Sequence, residues 1–192
     1  MLFTRKTKRE CNNVLKLKNR YMGERCFIVG NGPSLREIDL SKLINEFVFV
    51  TNWFVLHDVY KELSYPFLCI SDPHLWNYGK GFHEKLVENI LKNNNVKCFF
   101  EISSKKCVER SPLLDIEVYY LNLNRNKKVW KGEFSKKIWK YVSWGFTVII
   151  DFCLPLVYHL GFSNIYLIGV DCDYNLEKSK NFEKSYFYDI SD

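Results

Sequence analysis

Six short apolar runs recur along the chain, at 26–30 (CFIVG), 47–52 (FVFVTN), 67–72 (FLCISD), 96–101 (VKCFFE), 116–121 (IEVYYL) and 164–170 (NIYLIGV). Most are continuous rather than alternating, and they are rich in β-branched and aromatic residues. That pattern predicts strands covered on both faces. The stretches between them carry helical periodicity over 10–20, 34–44, 54–63, 82–94, 133–141 and 146–160. Ser34 and Glu37 have the spacing of a capping box, which predicts a helix starting at Ser34. Gly161 is placed to cap the last helix, and Pro155 should kink or split it. Strand alternating with helix predicts an α/β fold: a mainly parallel sheet with helices on both faces. The segment 122–142 departs from this alternation. It is polar and basic, carries Trp130 and Trp139, and reads as a lid-like excursion from the sheet.

The ends of these runs are polar. The first ends in Gly30, Asn31 and Gly32, the second in Thr51 and Asn52, the third in Ser71, Asp72 and His74, and the last in Asp171 and Asp173. In an open parallel sheet, ligands bind beyond the carboxyl ends of the strands, so the four sets should line one crevice. Gly30 and Gly32 allow close backbone approach, and Asn31 tolerates unusual backbone geometry while offering a donor and an acceptor. The amides of a helix beginning at Ser34 would favour a phosphate. The turn is neither a P-loop nor G-x-G-x-x-G, because no Gly-Lys-Ser/Thr follows and Leu35 stands at the third glycine position. Each turn also has a ligand-free reading as a tight connection, and the coincidence across four strand ends favours a binding site.

Composition sharpens this picture in three ways. Hydrophobic residues form 47% of the chain and aromatics 17%, enough for a folded domain. The seven cysteines include no C-x-x-C pair, which suits a reducing compartment and offers no zinc site. The N-terminus lacks the apolar stretch of a signal peptide, and 146–162 is too interrupted to span a membrane, so the expected location is cytoplasmic. The net charge of +6 is uneven: residues 1–25 hold eight Lys/Arg against two acidic residues, and 122–140 hold seven against one. Such segments suit an anionic substrate, peripheral attachment to the inner face of a membrane, or simply a solvated surface. Nothing resembles a nucleic-acid-binding module.

The segments GERCFIVGNGPSLREIDLSKL, TNWF and GFSNIYLIGVDCDYN resemble bacterial surface-polysaccharide proteins described as domain of unknown function 115, or 6-hydroxymethylpterin pyrophosphokinase MptE-like. They also resemble the sialyltransferases of glycosyltransferase family 42. The similarity covers roughly 20–60 and 140–175. It implies a Rossmann-like domain over 23–192, preceded by a basic N-terminal segment and helix over 1–22. It also implies metal-independent, inverting transfer from a CMP-sugar to a glycan or lipid-linked glycan in surface polysaccharide biosynthesis. By this resemblance Gly30, Asn31 and Gly32 face the donor phosphate and sugar, Asn52 contacts the nucleoside, and Asp171 holds the cytidine side. Asp72 stands where that family has asparagine. Ser143, Trp144 and Gly145 stand where it has Thr-Ser-Gly, and Asp173 where it has tyrosine. The family's general-base histidine lies downstream of this aspartate, whereas here no histidine follows His159. Either the chain is truncated relative to that family or its chemistry differs, and the expectation is a chain that binds nucleotide but transfers sugar poorly or not at all.

Three classes of function follow. The first is a nucleotide-sugar glycosyltransferase-like protein, with Gly30, Asn31, Gly32, Ser34, Asn52, Asp72, Ser143, Gly145, Asp171 and Asp173 at the nucleotide and His74 as the substitute base. The second is an MptE-like pterin pyrophosphokinase using ATP and Mg²⁺. The third is a degenerate nucleotide-binding module without turnover. No cofactor is expected. Asp171-Cys172-Asp173 is a D-x-D, and Mg²⁺ or Mn²⁺ would be the ion if it held one.

Overall fold

Each of the six apolar runs forms a strand. In chain order the strands are β1 (Arg25–Val29), β2 (Phe47–Thr51), β3 (Tyr65–Ile70), β4 (Lys97–Glu101), β5 (Glu117–Leu121), β6 (Leu123–Asn124), β7 (Val142–Ser143) and β8 (Asn164–Ile168). The computed structural model describes residues 11–76, 82–124, 137, 138, 142, 143, 147–171, 186 and 187. Six strands make one sheet in the order β5-β4-β3-β2-β1-β8, with every neighbour parallel.

The two faces of the sheet follow the strand period. Val29, Val48, Val50, Leu68, Ile70, Cys98 and Phe100 pack with Leu35, Leu43, Phe54, Tyr60, Leu86 and Ile90 from the connections between successive strands. Cys26, Ile28, Phe49, Phe67, Cys69 and Phe99 pack on the opposite face. There they meet Val14 and Leu17 before β1, and Phe152, Leu156, Val157 and Leu160 before β8. The chain therefore runs outward from β1 to β5 along one face and returns across the other to place β8 beside β1. This Rossmann-like topology reverses between β1 and β8, the position where open α/β sheets leave a crevice.

An aromatic stack braces the second face. Phe49, Phe67, Phe99 and Tyr119 lie side by side across β2 to β5, with neighbouring ring centroids 4.5, 6.1 and 5.2 Å apart. Phe162 meets Phe49 and Phe67 edge-on and stacks on Tyr21 at 5.0 Å, tying the segment before β1 to the turn before β8. Such pairs add stabilisation beyond the area they bury.

The predicted helices fare differently. Residues 82–94 and 146–160 contain α1 (Phe82–Ile90) and α3 (Leu154–Leu160), with the short α2 (Lys105–Val108) between them in the chain. The expected long helices at 10–20, 34–44 and 54–63 are instead 3₁₀ turns: Asn12–Leu17, Pro33–Glu37 with Leu40–Leu43, and Asn52–Leu56 with Asp58–Glu62. Their periodicity is real, since each buries one apolar side, but local caps interrupt them. The Asp39 carboxylate accepts the Ser41 N–H at 3.1 Å, and extended His57 accepts the Val59 N–H on Nδ1 at 3.2 Å. The expected capping box is absent as well. Gly32 is the N-cap, Pro33 begins the turn, and Ser34 turns its hydroxyl elsewhere. Pro155 splits the last helix as anticipated. It sits in the first turn of α3, directly after a π-helical stretch (Ile149–Cys153) whose wider turn accommodates the missing donor. Gly161 caps α3 at φ 92°.

The predicted excursion starts at β6 and ends at β7. These strands pair in parallel, Leu123 with Val142 and Asn124 with Ser143. Residues 125–136 and 139–141, including most of the helix expected at 133–141, lie outside the described residues. Among the described residues, no helix is long and apolar enough to cross a membrane.

Two outcomes follow. Phe67 is 2% exposed at the centre of the stack, so Phe67→Ala should cost about 3–5 kcal/mol in urea unfolding. A loss near zero would mean that the stack is not part of the stable core. The second outcome concerns pH. His159 donates its Nε2–H to the Val14 carbonyl at 3.0 Å, and burial holds its pKa below the ordinary 6.5. Burial lowers His57 likewise. The unfolded chain then binds more protons than the folded one below pH 6.5. Stability should be full above that value and should fall as pH drops through the lowered folded pKa values. Urea midpoints measured from about pH 7 down to about pH 5 should decline in the native chain and decline less in His159→Gln.

Candidate functional site

The site is built around the end of β1. Gly30 N–H donates to the Ile168 carbonyl at 2.8 Å, and Gly32 N–H donates to the Gly169 carbonyl at 2.9 Å. A Cβ on Gly30 would lie 2.3 Å from the Gly169 oxygen, and one on Gly32 would lie 2.3 Å from Asp171 Oδ2. Gly169 has φ 64°, with Leu35 filling the space where its own side chain would project. Both glycines of the first turn are thus required by the adjoining turn after β8. Asp171 accepts the Ser34 N–H on Oδ2 at 3.0 Å and the Ser34 hydroxyl on Oδ1. The Ser34 amide expected at a phosphate is occupied by this internal carboxylate, and Pro33–Glu37 is a five-residue 3₁₀ turn rather than the start of the helix expected at 34–44.

Asn31 looks the other way. Its amide donates to the Thr51 carbonyl at 3.0 Å and to Thr51 Oγ1 at 3.2 Å, which fixes the amide orientation and ties the end of β1 to the end of β2. Its Oδ1 is buried without a hydrogen-bond partner, and so is Oδ1 of the next strand-end residue, Asn52. Asn52 has φ 49°, in the left-handed region that costs a side-chain-bearing residue energy.

The ends of β2 and β3 open onto a cleft of about 300 Å³. Asn52, Ser71, Asp72 and His74 line it on one side, and Leu123, Thr147, Val148, Asp151 and Phe152 on the other. Asp72 folds onto its own loop, its Oδ1 accepting the His74 N–H at 2.9 Å. His74 is exposed at the rim. The far wall is the start of the helical segment that ends in α3, and sequence reasoning did not select it. Thr147 Oγ1 accepts the Ile150 N–H at 3.1 Å, while Asp151 Oδ2 accepts the Thr147 N–H at 3.0 Å. This reciprocal cap resembles a capping box with one extra residue, and Thr147 and Asp151, four apart at the start of an apolar run, were its available signal.

The structure therefore brings together Asn52, Asp72 and His74, with Asn31 adjacent through Thr51. It sets Asp171 apart, against Ser34. Ser143 is placed by its backbone in β7, and Gly145 and Asp173 lie outside the described residues. Of the D-x-D, Cys172 also lies outside the described residues, and both Asp171 oxygens accept from Ser34. Among the described residues, no three His, Cys, Asp or Glu side chains converge as a metal site needs. Also unforeseen is a return of the chain over the first turn. Phe187 N–H donates to the Asn31 carbonyl at 3.1 Å, Arg36 donates to the Tyr186 carbonyl at 2.8 Å, and the Phe187 ring rests 5.3 Å from His57 and 5.8 Å from Phe54.

No protein-family model matches the chain, and no curated protein matches it. Among solved structures, the sialyltransferase CstII from Campylobacter jejuni in complex with a substrate analogue, cytidine-5′-monophosphate, is similar with a TM-score of 0.50 and 20% identity, over 89% of this chain and 68% of that one. The same sialyltransferase in complex with CMP-3FNeuAc gives 0.49 and 21%, over 88% and 65%. At this identity the first likeness establishes a shared fold.

The close approach of the two turns yields a test. Gly30→Ala should lower stability by on the order of 1–3 kcal/mol, because backbone at the Gly169 carbonyl must move to admit the methyl group. Thermal melting of this variant beside Gly23→Ala separates crowding from backbone strain, since Gly23 has φ 88° but open space around it. A Gly30→Ala protein that melts like the native chain would remove the contact with Gly169 as the reason for this glycine.

Proposed function

We propose that the chain is a nucleotide-sugar-binding protein of glycosyltransferase type, with a CMP-sugar as its donor. One observation carries this reading: Asn31, Asn52, Asp72 and His74, from three successive strand ends, gather at the crevice edge of a Rossmann-like sheet. The shared fold with a sialyltransferase solved with CMP supports it, as do the G-N-G-P-S-L and GFSNIYLIGVD segments. Asn31 and Asn52 each bury an amide oxygen without a partner, the kind of acceptor that the N–H or O–H groups of a nucleoside or sugar satisfy. Within this reading the acceptor is a glycan or lipid-linked glycan of surface polysaccharide assembly. The basic segment that includes Lys16, Lys18, Arg20 and Arg25 favours contact with an anionic membrane surface, consistent with a cytoplasmic protein held at the inner face.

Calorimetric titration with CMP, UDP, GDP and ATP, each with and without Mg²⁺, tests it. CMP should bind without metal, and Asn31→Ala should weaken that binding by about 0.5–1.5 kcal/mol, with the fold kept but the melting temperature somewhat lowered because the bonds to Thr51 are lost as well. Equal affinity in the variant removes Asn31 from the site, and ATP binding only with Mg²⁺ favours the pyrophosphokinase class instead.

A second reading, a binding module with little turnover, draws on the engagement of Ser34 by Asp171 and on His74 being the histidine that lines the cleft. Loss of a general base lowers rates by about 10²–10⁴-fold, so weak transfer is expected. Assays of a nucleotide-sugar panel with the native chain and His74→Ala decide this. Robust turnover that survives the substitution overturns both the weak activity and the role of His74.

A further inference from the structure

The chain comes back to the first turn at Tyr186 and Phe187, and this return grips one peptide of that turn. We propose that it is a clasp: Phe187 and Arg36 are positioning residues that fix the Asn31–Gly32 peptide, and so present Asn31 to the nucleotide without touching the ligand themselves. The inference deepens the nucleotide-sugar reading and rests on it.

The peptide between Asn31 and Gly32 is of a kind that turns over, because glycine accepts φ of either sign. In the structure Gly32 stands at φ −67°. The carbonyl and N–H of a trans peptide point in opposite directions, and here a different part of the chain holds each. Gly32 N–H donates to the Gly169 carbonyl at 2.9 Å, and the Asn31 carbonyl accepts the Phe187 N–H at 3.1 Å. Rotation of the plane breaks both bonds at once. The residue fixed in this way is the one whose amide holds Thr51 and whose Oδ1 is buried without a partner.

Two features fasten the return. The Phe187 ring packs on Phe54 and His57, with centroids 5.8 and 5.3 Å away, and joins the core of the first face. The Arg36 guanidinium donates to the Tyr186 carbonyl at 2.8 Å, although the two residues are 150 positions apart, and its Nε lies 3.5 Å from the Phe187 carbonyl. A rigid, forked cation meeting successive carbonyls sets the direction of the segment it holds. Arg36 belongs to the 3₁₀ turn that Gly32 caps, so the clasp closes on the turn it steadies. Phe54 and His57 follow β2, so the return also links the ends of β1 and β2. A binding residue keeps its geometry when neighbours outside the site lock it in place.

Calorimetric titration of CMP into the full chain, beside ¹⁵N NMR of the Asn31 side-chain amide, tests the clasp. The amide signal is identified by its loss in Asn31→Ala. Phe187→Ala and Arg36→Ala should each weaken CMP binding by about two- to tenfold, as for one hydrogen bond between neutral groups. Both should also shift the Asn31 amide signal in the ligand-free protein. Arg36 is exposed, so its variants keep the fold. Arg36→Lys retains a donor for the Tyr186 carbonyl and should restore most of the affinity and of the signal. Val14→Ala, a buried change on the opposite face of the sheet, should lower the melting temperature and leave affinity and signal as they are. Native affinity in both clasp variants would overturn the proposal, as would an affinity loss with the amide signal unmoved, or an equal loss in Val14→Ala. Tighter binding would overturn it too, since the return would then be blocking the site. Should the native chain not bind CMP, the nucleotide-sugar reading falls, and the amide signal still decides whether the clasp holds the peptide.

Discussion

The packing of the turn after β1 against the turn after β8 is the constraint on which the rest of this structure depends. Parallel pairing delivers both strand ends to the same edge of the sheet, and Gly30, Gly32 and Gly169 let the two backbones meet there without side chains between them. Asp171 then reaches Ser34 and locks the crossing with two hydrogen bonds. Because Ser34 is held in this way, Pro33–Glu37 is a short 3₁₀ turn that drops Leu35 into the space beside Gly169, and the chain re-enters the sheet at β2.

The same crossing determines which groups remain for a ligand. With Gly30, Gly32 and Ser34 all donating within the protein, Asn31 is left to act sideways, and it does so through Thr51. The groups not engaged by this crossing lie one strand outward, at Asn52 and the cleft beyond Asp72. The aromatic stack beneath gives that edge a rigid floor, since Phe49 and Phe67 sit two positions before Thr51 and Cys69 on β2 and β3. Positioned polar groups on a stiff sheet are a better basis for recognition than groups on a long loop.

The inner strands β1 to β4 were legible because both of their faces are covered, so each is written as an unbroken apolar run, and the edge strand β8 reads as the same kind of run although Ile165, Tyr166 and Leu167 are exposed. That the sheet is mainly parallel was legible from the alternation with helical periodicity, whereas the strand order, with β8 returning beside β1, was not. Helix type was not. An apolar face every third or fourth residue does not separate one long helix from two 3₁₀ turns, and the separating features are small: extended His57 with its ring accepting the Val59 N–H, and Asp39 accepting from Ser41. For the site, the polar strand ends Asn52, Asp72 and His74 were visible as residues at strand termini. The far wall was hidden because Thr147 and Asp151 lie over 70 residues downstream of His74 and read locally as a helix start. Asp171 was found as a residue but not as a partner, since an interaction with Ser34 across 137 positions leaves no local pattern.

The glycine-rich turn therefore carries two meanings that the sequence alone cannot separate. A strand ending in Gly-Asn-Gly admits a close ligand or a close neighbour, because either needs the absence of Cβ. Here the neighbour is the chain itself, in the Gly169 carbonyl and the Asp171 carboxylate, and Phe187 adds a third contact on the Asn31 carbonyl. Asparagine between the glycines is what keeps the turn connected to chemistry. Its carbonyl holds the returning chain, its amide holds Thr51, and its buried side-chain oxygen is the group that remains unanswered. A ligand that satisfied Asn31 Oδ1 and Asn52 Oδ1 together would bridge the ends of β1 and β2, extending across the sheet edge from the switch point to the cleft.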